Sequence, residues 1–216
     1  MPSLARRGLF VMDLLLTVLD LAGTFVFAIS GATAAVQQRL DVFGVAVLAF
    51  ATGTVGGITR DVLIGATPPL AIAEPNYALM TLAAAVVVFF GHRIVDRIQS
   101  PVAIFDAAGL SMFAVTGTIR ALDSGISPVM AAVMGMVTGI GGGMMRDVLI
   151  ARMPAVLQPV ELYATAALAG SSLTVIGVTL DWPFVPTVLC AAGLCFFLRF
   201  MALRRGWRLP APRIGE

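Results

Sequence analysis

Thirteen residues of this chain are written twice. Thr52 to Ile64 and Thr138 to Ile150 lie 86 positions apart and agree at nine of thirteen positions, sharing the pattern Gly-Gly-x-x-Arg-Asp-Val-Leu-Ile. Unrelated apolar segments would agree at about one or two. The chain is therefore internally duplicated, and each copy sets an Arg and an Asp just behind a glycine pair inside an apolar run. Any fold must find partners for both charged pairs. A site drawing on both halves is the simplest solution.

The echo runs beyond the motif. Asp20, Gly23, Phe27, Ala28 and Gly31 recur as Asp106, Gly109, Phe113, Ala114 and Gly117, and the register holds as far as Tyr77 and Tyr163. With 59% hydrophobic and 12% charged residues and a mean hydropathy of +0.97, the solvent for this chain is a bilayer. Seven apolar segments are long enough to cross it, near 12–36, 42–65, 72–91, 101–121, 127–150, 159–180 and 184–203. Proline, glycine and polar punctuation separates them, with His92 and Arg93 placed in a loop.

The expected architecture is an all-α integral membrane protein, one transmembrane domain over 1–216. Repeat one covers about 12–97 and repeat two about 98–180, followed by an extra helix near 184–203 and a basic tail, 204–216. Each repeat holds three helices. Three is odd, so the second repeat must enter from the opposite side, giving two inverted three-helix repeats plus a seventh, packing helix. Arg6 and Arg7 ahead of an apolar run imitate a signal peptide, but the first run belongs to repeat one and is expected to stay. One face collects Arg6, Arg7 and Arg120, while the other collects Arg39, Arg93, Arg97, Arg152, Arg199, Arg204, Arg205, Arg208 and Arg213. By the positive-inside rule the C-terminus is cytoplasmic and the N-terminus outside.

Composition also excludes. A net charge of +2 gives no basic face for nucleic acid. One His, no Lys and no Cys or His cluster leave no metal centre, no Schiff base and no named nucleophile with a base, so no enzyme is expected. The glycine runs lack the Gly-Lys-Ser/Thr of a phosphate loop. Cys190 and Cys195 are five apart, point away from each other on a helix, and are read as small core hydrophobes.

Candidate functional residues follow from cost. Gly56, Gly57, Gly142 and Gly143 each weaken a helix by about 1 kcal/mol. They either permit close helix packing or mark a kink or unwound turn whose freed backbone faces a polar cavity; two such stretches related by inversion favour the broken helix. Arg60, Asp61, Arg146 and Asp147 should face the protein interior and be paired. Neighbouring residues point about 100° apart on a helix, so pairing across helices is expected over pairing within each dipeptide. Asp20 and Asp106, in matched positions inside the first and fourth runs, are those partners, lone carboxylates facing a water path, or interfacial residues capping helix starts. Ser30, Ser111, Thr116 and Thr118 read as interhelical donors or pore-lining hydroxyls.

The doubled Gly-Gly-x-x-Arg-Asp-Val-Leu-Ile in a three plus three plus one arrangement resembles the bacterial trimeric intracellular cation (TRIC) channel family, also filed as a "glycine transporter" domain. The resemblance covers 12 to about 203. It implies a homotrimer in the bacterial inner (plasma) membrane, one pore per protomer between the triplets, with helices two and five bent at their glycine pairs. The permeant ions would be K⁺ and Na⁺, with no cofactor and with membrane lipid as an associated ligand. The matched Thr52 and Thr138 join the pore and gating set with the glycines, both Arg-Asp pairs, Asp20 and Asp106. Animal members carry Lys-Glu-Val where Arg60-Asp61-Val62 and Arg146-Asp147-Val148 stand here. An Arg in a cation pore should repel cations unless carboxylates neutralise it. Two other readings fit the residues: a secondary transporter of a small zwitterion such as glycine, and a non-conducting membrane protein whose Arg-Asp pairs lock packing.

Overall fold

Backbone polar groups in a bilayer must be satisfied within the protein, and the long apolar runs do so as helices. The structure, a computed structural model, describes residues 2–95, 100–158 and 162–207. These form α1 (Pro2–Gln37), α2 (Val42–Leu63), α3 (Leu70–Ala73), α4 (Pro75–Val95), α5 (Pro101–Asp123), α6 (Pro128–Leu149), a 3-10 helix (Ala155–Leu157), α7 (Ala164–Thr179) and α8 (Phe184–Arg205), with no strand among them. Five helices are long and apolar enough to cross a membrane, within Met12–Gln37, Val42–Leu63, Pro101–Asp123, Pro128–Leu149 and Phe184–Arg205. The apolar parts of α4 and α7, Pro75–Gly91 and Ala164–Thr179, are shorter. Phe43 and Phe90, 77% and 80% exposed, point outward where only lipid or another apolar surface suits them.

Two boundaries differ from expectation. The third apolar run was expected to be helical from 72, yet Glu74 is extended (φ −109°, ψ 118°) and splits the short α3 from α4. A residue before proline is driven out of the helical region, and Pro75 then opens the next helix. At its far end α4 carries the backbone of His92 and Arg93, so the loop they were expected to form begins later. The sixth run starts at Ala164, not 159; residues 159–161 lie outside the described ones, and the Leu162 N–H is given to the carbonyl of Trp207. Arg97, Arg208 and Arg213 of the charge count lie outside the described residues, as do the side chains of Arg6, Arg7 and Arg93.

Neither glycine pair interrupts its helix. α2 and α6 run unbroken through Gly56-Gly57 and Gly142-Gly143, so the unwound turn is not formed. The glycines instead let the two helices cross backbone to backbone. A methyl on Gly56 would overlap the carbonyl oxygen of Thr138, and one on Gly142 that of Thr52. α1 and α5 meet in the same reciprocal way: Gly23 faces the ring of Phe113, and Gly109 that of Phe27. Both contacts require antiparallel neighbours. Phe27 and Phe113 then close on each other at the centre, ring centroids 5.3 Å apart and tilted by 50°.

Small residues pack around this crossing. Ala28, Ala32, Ala35, Ala49 and Ala84 fill one cluster among α1, α2 and α4. Leu110, Ala114, Tyr163, Ala167 and Cys195 join the phenylalanines in another. Cys195 is therefore a core residue as expected, whereas Cys190 is exposed. Five helical residues turn the chain by about 140°, so one face of α8 cannot bury both.

Candidate functional site: two buried arginine clusters

In the first cluster the Arg60 guanidinium, 1% exposed, donates from Nη1 to Asp20 Oδ1 of α1 at 3.1 Å and from Nε to its neighbour Asp61 Oδ1 at 2.8 Å. Asp20, 2% exposed, also accepts from the Tyr77 hydroxyl (2.7 Å) and from Thr116 of α5 (3.2 Å). The other oxygen of Asp61 accepts the backbone N–H of Leu70, where α3 begins, at 2.9 Å. Arg120, from the last turn of α5, brings a second guanidinium to 4.0 Å from Asp20.

The second cluster repeats this chemistry 86 residues on. Arg146 donates to Asp106 of α5 at 2.7 Å and to Asp147 at 2.9 Å. Its Nη1 also reaches the Ser30 hydroxyl of α1 at 2.7 Å, and that hydroxyl donates a hydrogen bond to the Val102 carbonyl at 3.0 Å. Asp147 Oδ2 accepts the N–H of Ala155, where the 3-10 helix begins, at 3.0 Å. Arg199 of α8 supplies the second guanidinium here, lying over the Tyr163 ring at 4.6 Å.

Each cluster is thus shared between the halves of the chain. Along α1, Asp20 belongs to the first and Ser30 to the second; along α5, Asp106 belongs to the second and Thr116 to the first. Ten helical residues span about 15 Å, which sets the separation of the clusters along both helices. Removing one partner from a buried charged group costs several kcal/mol. Here Arg60 and Arg146 each meet two carboxylates, and the second oxygens of Asp20, Asp61 and Asp147 accept further hydrogen bonds.

The expected pairing across helices is present, with a correction. Arg60 and Arg146 also bond the Asp beside them, because an arginine side chain is long enough to run sideways round the helix to its neighbour's carboxylate. Asp20 and Asp106 are buried partners, not helix caps. Gly56 and Gly142 serve the α2/α6 crossing, while Gly57 faces only Arg60 Nη2 at 3.8 Å and Gly143 admits Asp106, whose oxygen lies 2.6 Å from where a Cβ would stand. Thr52 and Thr138 are fully buried and donate to carbonyls of their own helices, Leu48 and Met134. Ser111 and Thr118 likewise bond within α5. Sequence reasoning missed Tyr77, Tyr163, Arg120 and Arg199. The two tyrosines were visible as a matched pair at the repeat offset.

Two cavities reach these clusters from opposite ends. One, of ≈ 370 Å³, is bordered by Asp61, Arg120 and Asp123 at the end of α2. The other, of ≈ 350 Å³, is bordered by Asp106, Arg146, Asp147, Arg152, Tyr163 and Arg199 at the end of α6. The phenylalanine pair and the glycine crossing lie between them.

A sequence model for the family described as Glycine transporter matches residues 17–93 and 103–179. The crystal structure of the TRIC trimeric intracellular cation channel orthologue from Rhodobacter sphaeroides superposes with a TM-score of 0.83 at 36% identity, covering 88% of this chain and 98% of that one. The chain belongs to the bacterial TRIC family. Among other relatives, a UPF0126 membrane protein of Deinococcus radiodurans is 40% identical, with 92% of each chain covered. The UPF0126 inner membrane protein YadS of Escherichia coli K12 is 34% identical over 92% of this chain and 96% of its own. TRIC membership places the chain with membrane channels and not with enzymes.

Proposed function

We propose that the chain is a monovalent cation channel of the TRIC type, passing K⁺ and Na⁺, a homotrimer with one pore in each protomer. The observation that carries this reading is the neutralisation of Arg60 and Arg146. Each buried guanidinium meets two carboxylates, so neither presents an unbalanced positive charge to an ion. The path runs between the cavities, past the Phe27/Phe113 contact and the α2/α6 crossing. Opening separates that crossing, and the Arg-Asp pairs pin the helix ends about which it moves.

In this reading α4 and α7 also cross the bilayer, giving seven spans as two inverted triplets with α8 outside them. Reciprocal contacts support the inversion: Gly56 to Thr138 with Gly142 to Thr52, and Gly23 to Phe113 with Gly109 to Phe27. The protein resides in the bacterial inner membrane with its C-terminus cytoplasmic, and lipid covers Phe43 and Phe90 or fills the seams between protomers.

The test is single-channel current from purified protein in a planar bilayer under a KCl gradient. Discrete openings that reverse near the K⁺ equilibrium potential are expected, unchanged by glycine. A silent bilayer, together with saturable, gradient-dependent glycine uptake into proteoliposomes, would replace the channel by a transporter and make the Arg-Asp clusters a zwitterion site. Silence in both assays would leave a packing role.

A further inference from the structure

Tyr77 and Tyr163 are matched by the repeat, yet they stand differently toward the glycine of their motif. Tyr77 gives its hydroxyl to Asp20 at 2.7 Å, and the face of Gly57 is met, among the described residues, only by Arg60 Nη2 at 3.8 Å. A void of ≈ 10 Å³ bordered by Gly57, Thr24, Thr54 and Phe113 continues there from the α2-end cavity, with which it shares Asp61 and Leu70. On the other side the Tyr163 hydroxyl and Asp106 fill the face of Gly143. Tyr163 borders the α6-end cavity and packs in one cluster with Phe27, Leu110 and Phe113, so it stands between that cavity and the phenylalanine pair. The repeat puts Leu110 and Ile140 where the void has Thr24 and Thr54, and both pack with Tyr163. The space left open in one half is plugged in the other.

What holds the plug comes from outside the repeat. Arg199 of α8 lies over the Tyr163 ring at 4.6 Å, and its Nη1 stands 3.5 Å from the carbonyl of Leu162. The Leu162 N–H is given to the carbonyl of Trp207, just past the end of α8, at 3.2 Å. Leu162 and Tyr163 are therefore gripped at N–H, carbonyl and ring by the end of a single helix. We propose that α8 is the latch of the channel: Arg199 and Trp207 hold Tyr163 over Gly143, and displacement of the end of α8 releases it. The inference rests on the channel reading above, and in it Arg199 is a positioning residue that acts through Tyr163. A desolvated guanidinium over an aromatic face biases a two-state equilibrium by on the order of tenfold. One backbone hydrogen bond biases it by roughly fivefold.

The experiment reads the ratio of open to closed time of the full chain in a planar bilayer under a KCl gradient. Arg199→Met should raise that ratio roughly tenfold. On a Tyr163→Leu background the same substitution should add nothing to what Tyr163→Leu does alone, because the latch then has nothing to hold; a merely structural role for Arg199 would act equally on both backgrounds. A chain ending at Arg205 loses the Trp207 carbonyl and keeps α1 to α8 whole. It should open roughly fivefold more often, and it carries the test where Arg199→Met does not yield monodisperse protein. An unchanged or lowered ratio in Arg199→Met, or in the shortened chain where that stands in for it, or a rise that persists with Tyr163→Leu, would overturn the latch and leave the channel standing. A wild-type protein that carries no current would remove the channel and this inference together.

Discussion

Gly142→Ala tests one of the two close backbone contacts at the α2/α6 crossing. A Cβ at Gly142 would overlap the Thr52 carbonyl oxygen, whereas non-bonded heavy atoms rest at about 3.5 Å. α2 and α6 must therefore separate by on the order of 1 Å, and neither backbone can turn aside as a flexible side chain would. Overpacking of this kind costs about 1–3 kcal/mol, against a gain of up to about 1 kcal/mol from replacing a helical glycine by alanine. Gly193→Ala is the control, since nothing lies within 4 Å of its Cβ position in α8. Thermal unfolding in detergent, followed by tryptophan fluorescence, should show Gly142→Ala melting below the wild type and Gly193→Ala at or above it. Equal melting of the two variants would refute the close crossing and restore an open, unwound turn at the glycines.

Arg146→Ala leaves Asp106 and Asp147 buried without their cation and should destabilise by about 3–5 kcal/mol, read as loss of monodisperse protein on size exclusion. Tyr77→Phe removes one hydrogen bond to the charged Asp20 and should cost about 1.5–3 kcal/mol, measured by the same melt. Phe27→Ala takes one ring from the contact between the two cavities; single-channel conductance should rise above that of the wild type, and unchanged conductance would move the constriction elsewhere.

Much of this arrangement was legible because the chain states it twice. Apolar runs bounded by proline and glycine mark the helices, and an Arg with no tolerable exposure inside a bilayer demands a carboxylate, which the offset supplies as Asp20 or Asp106. What escaped depended on reach and on broken symmetry. Pairing within Arg60-Asp61 needs the side chain to run sideways round its own helix, which backbone angles alone do not reveal. Whether a glycine pair admits a second backbone or unwinds depends on what stands opposite, and Thr138 is 82 residues from Gly56. Arg199 could not be found from the duplication at all, since the matching position holds Phe113. A helix expected merely to pack thus contributes a charge to the second cluster.

The second oxygen of each motif Asp has a mechanical consequence. Asp61 holds the first amide of α3, nine residues ahead, and Asp147 holds that of the 3-10 helix, eight ahead. The loop between each such pair is fastened at both ends to the charged cluster, so the end of α2 and the start of α3 form a single lever, as do their counterparts behind α6. No hinge can sit between them while those bonds last. The amides of Leu70 and Ala155, although at the ends of loops, should exchange with deuterium as slowly as the helices they are tied to.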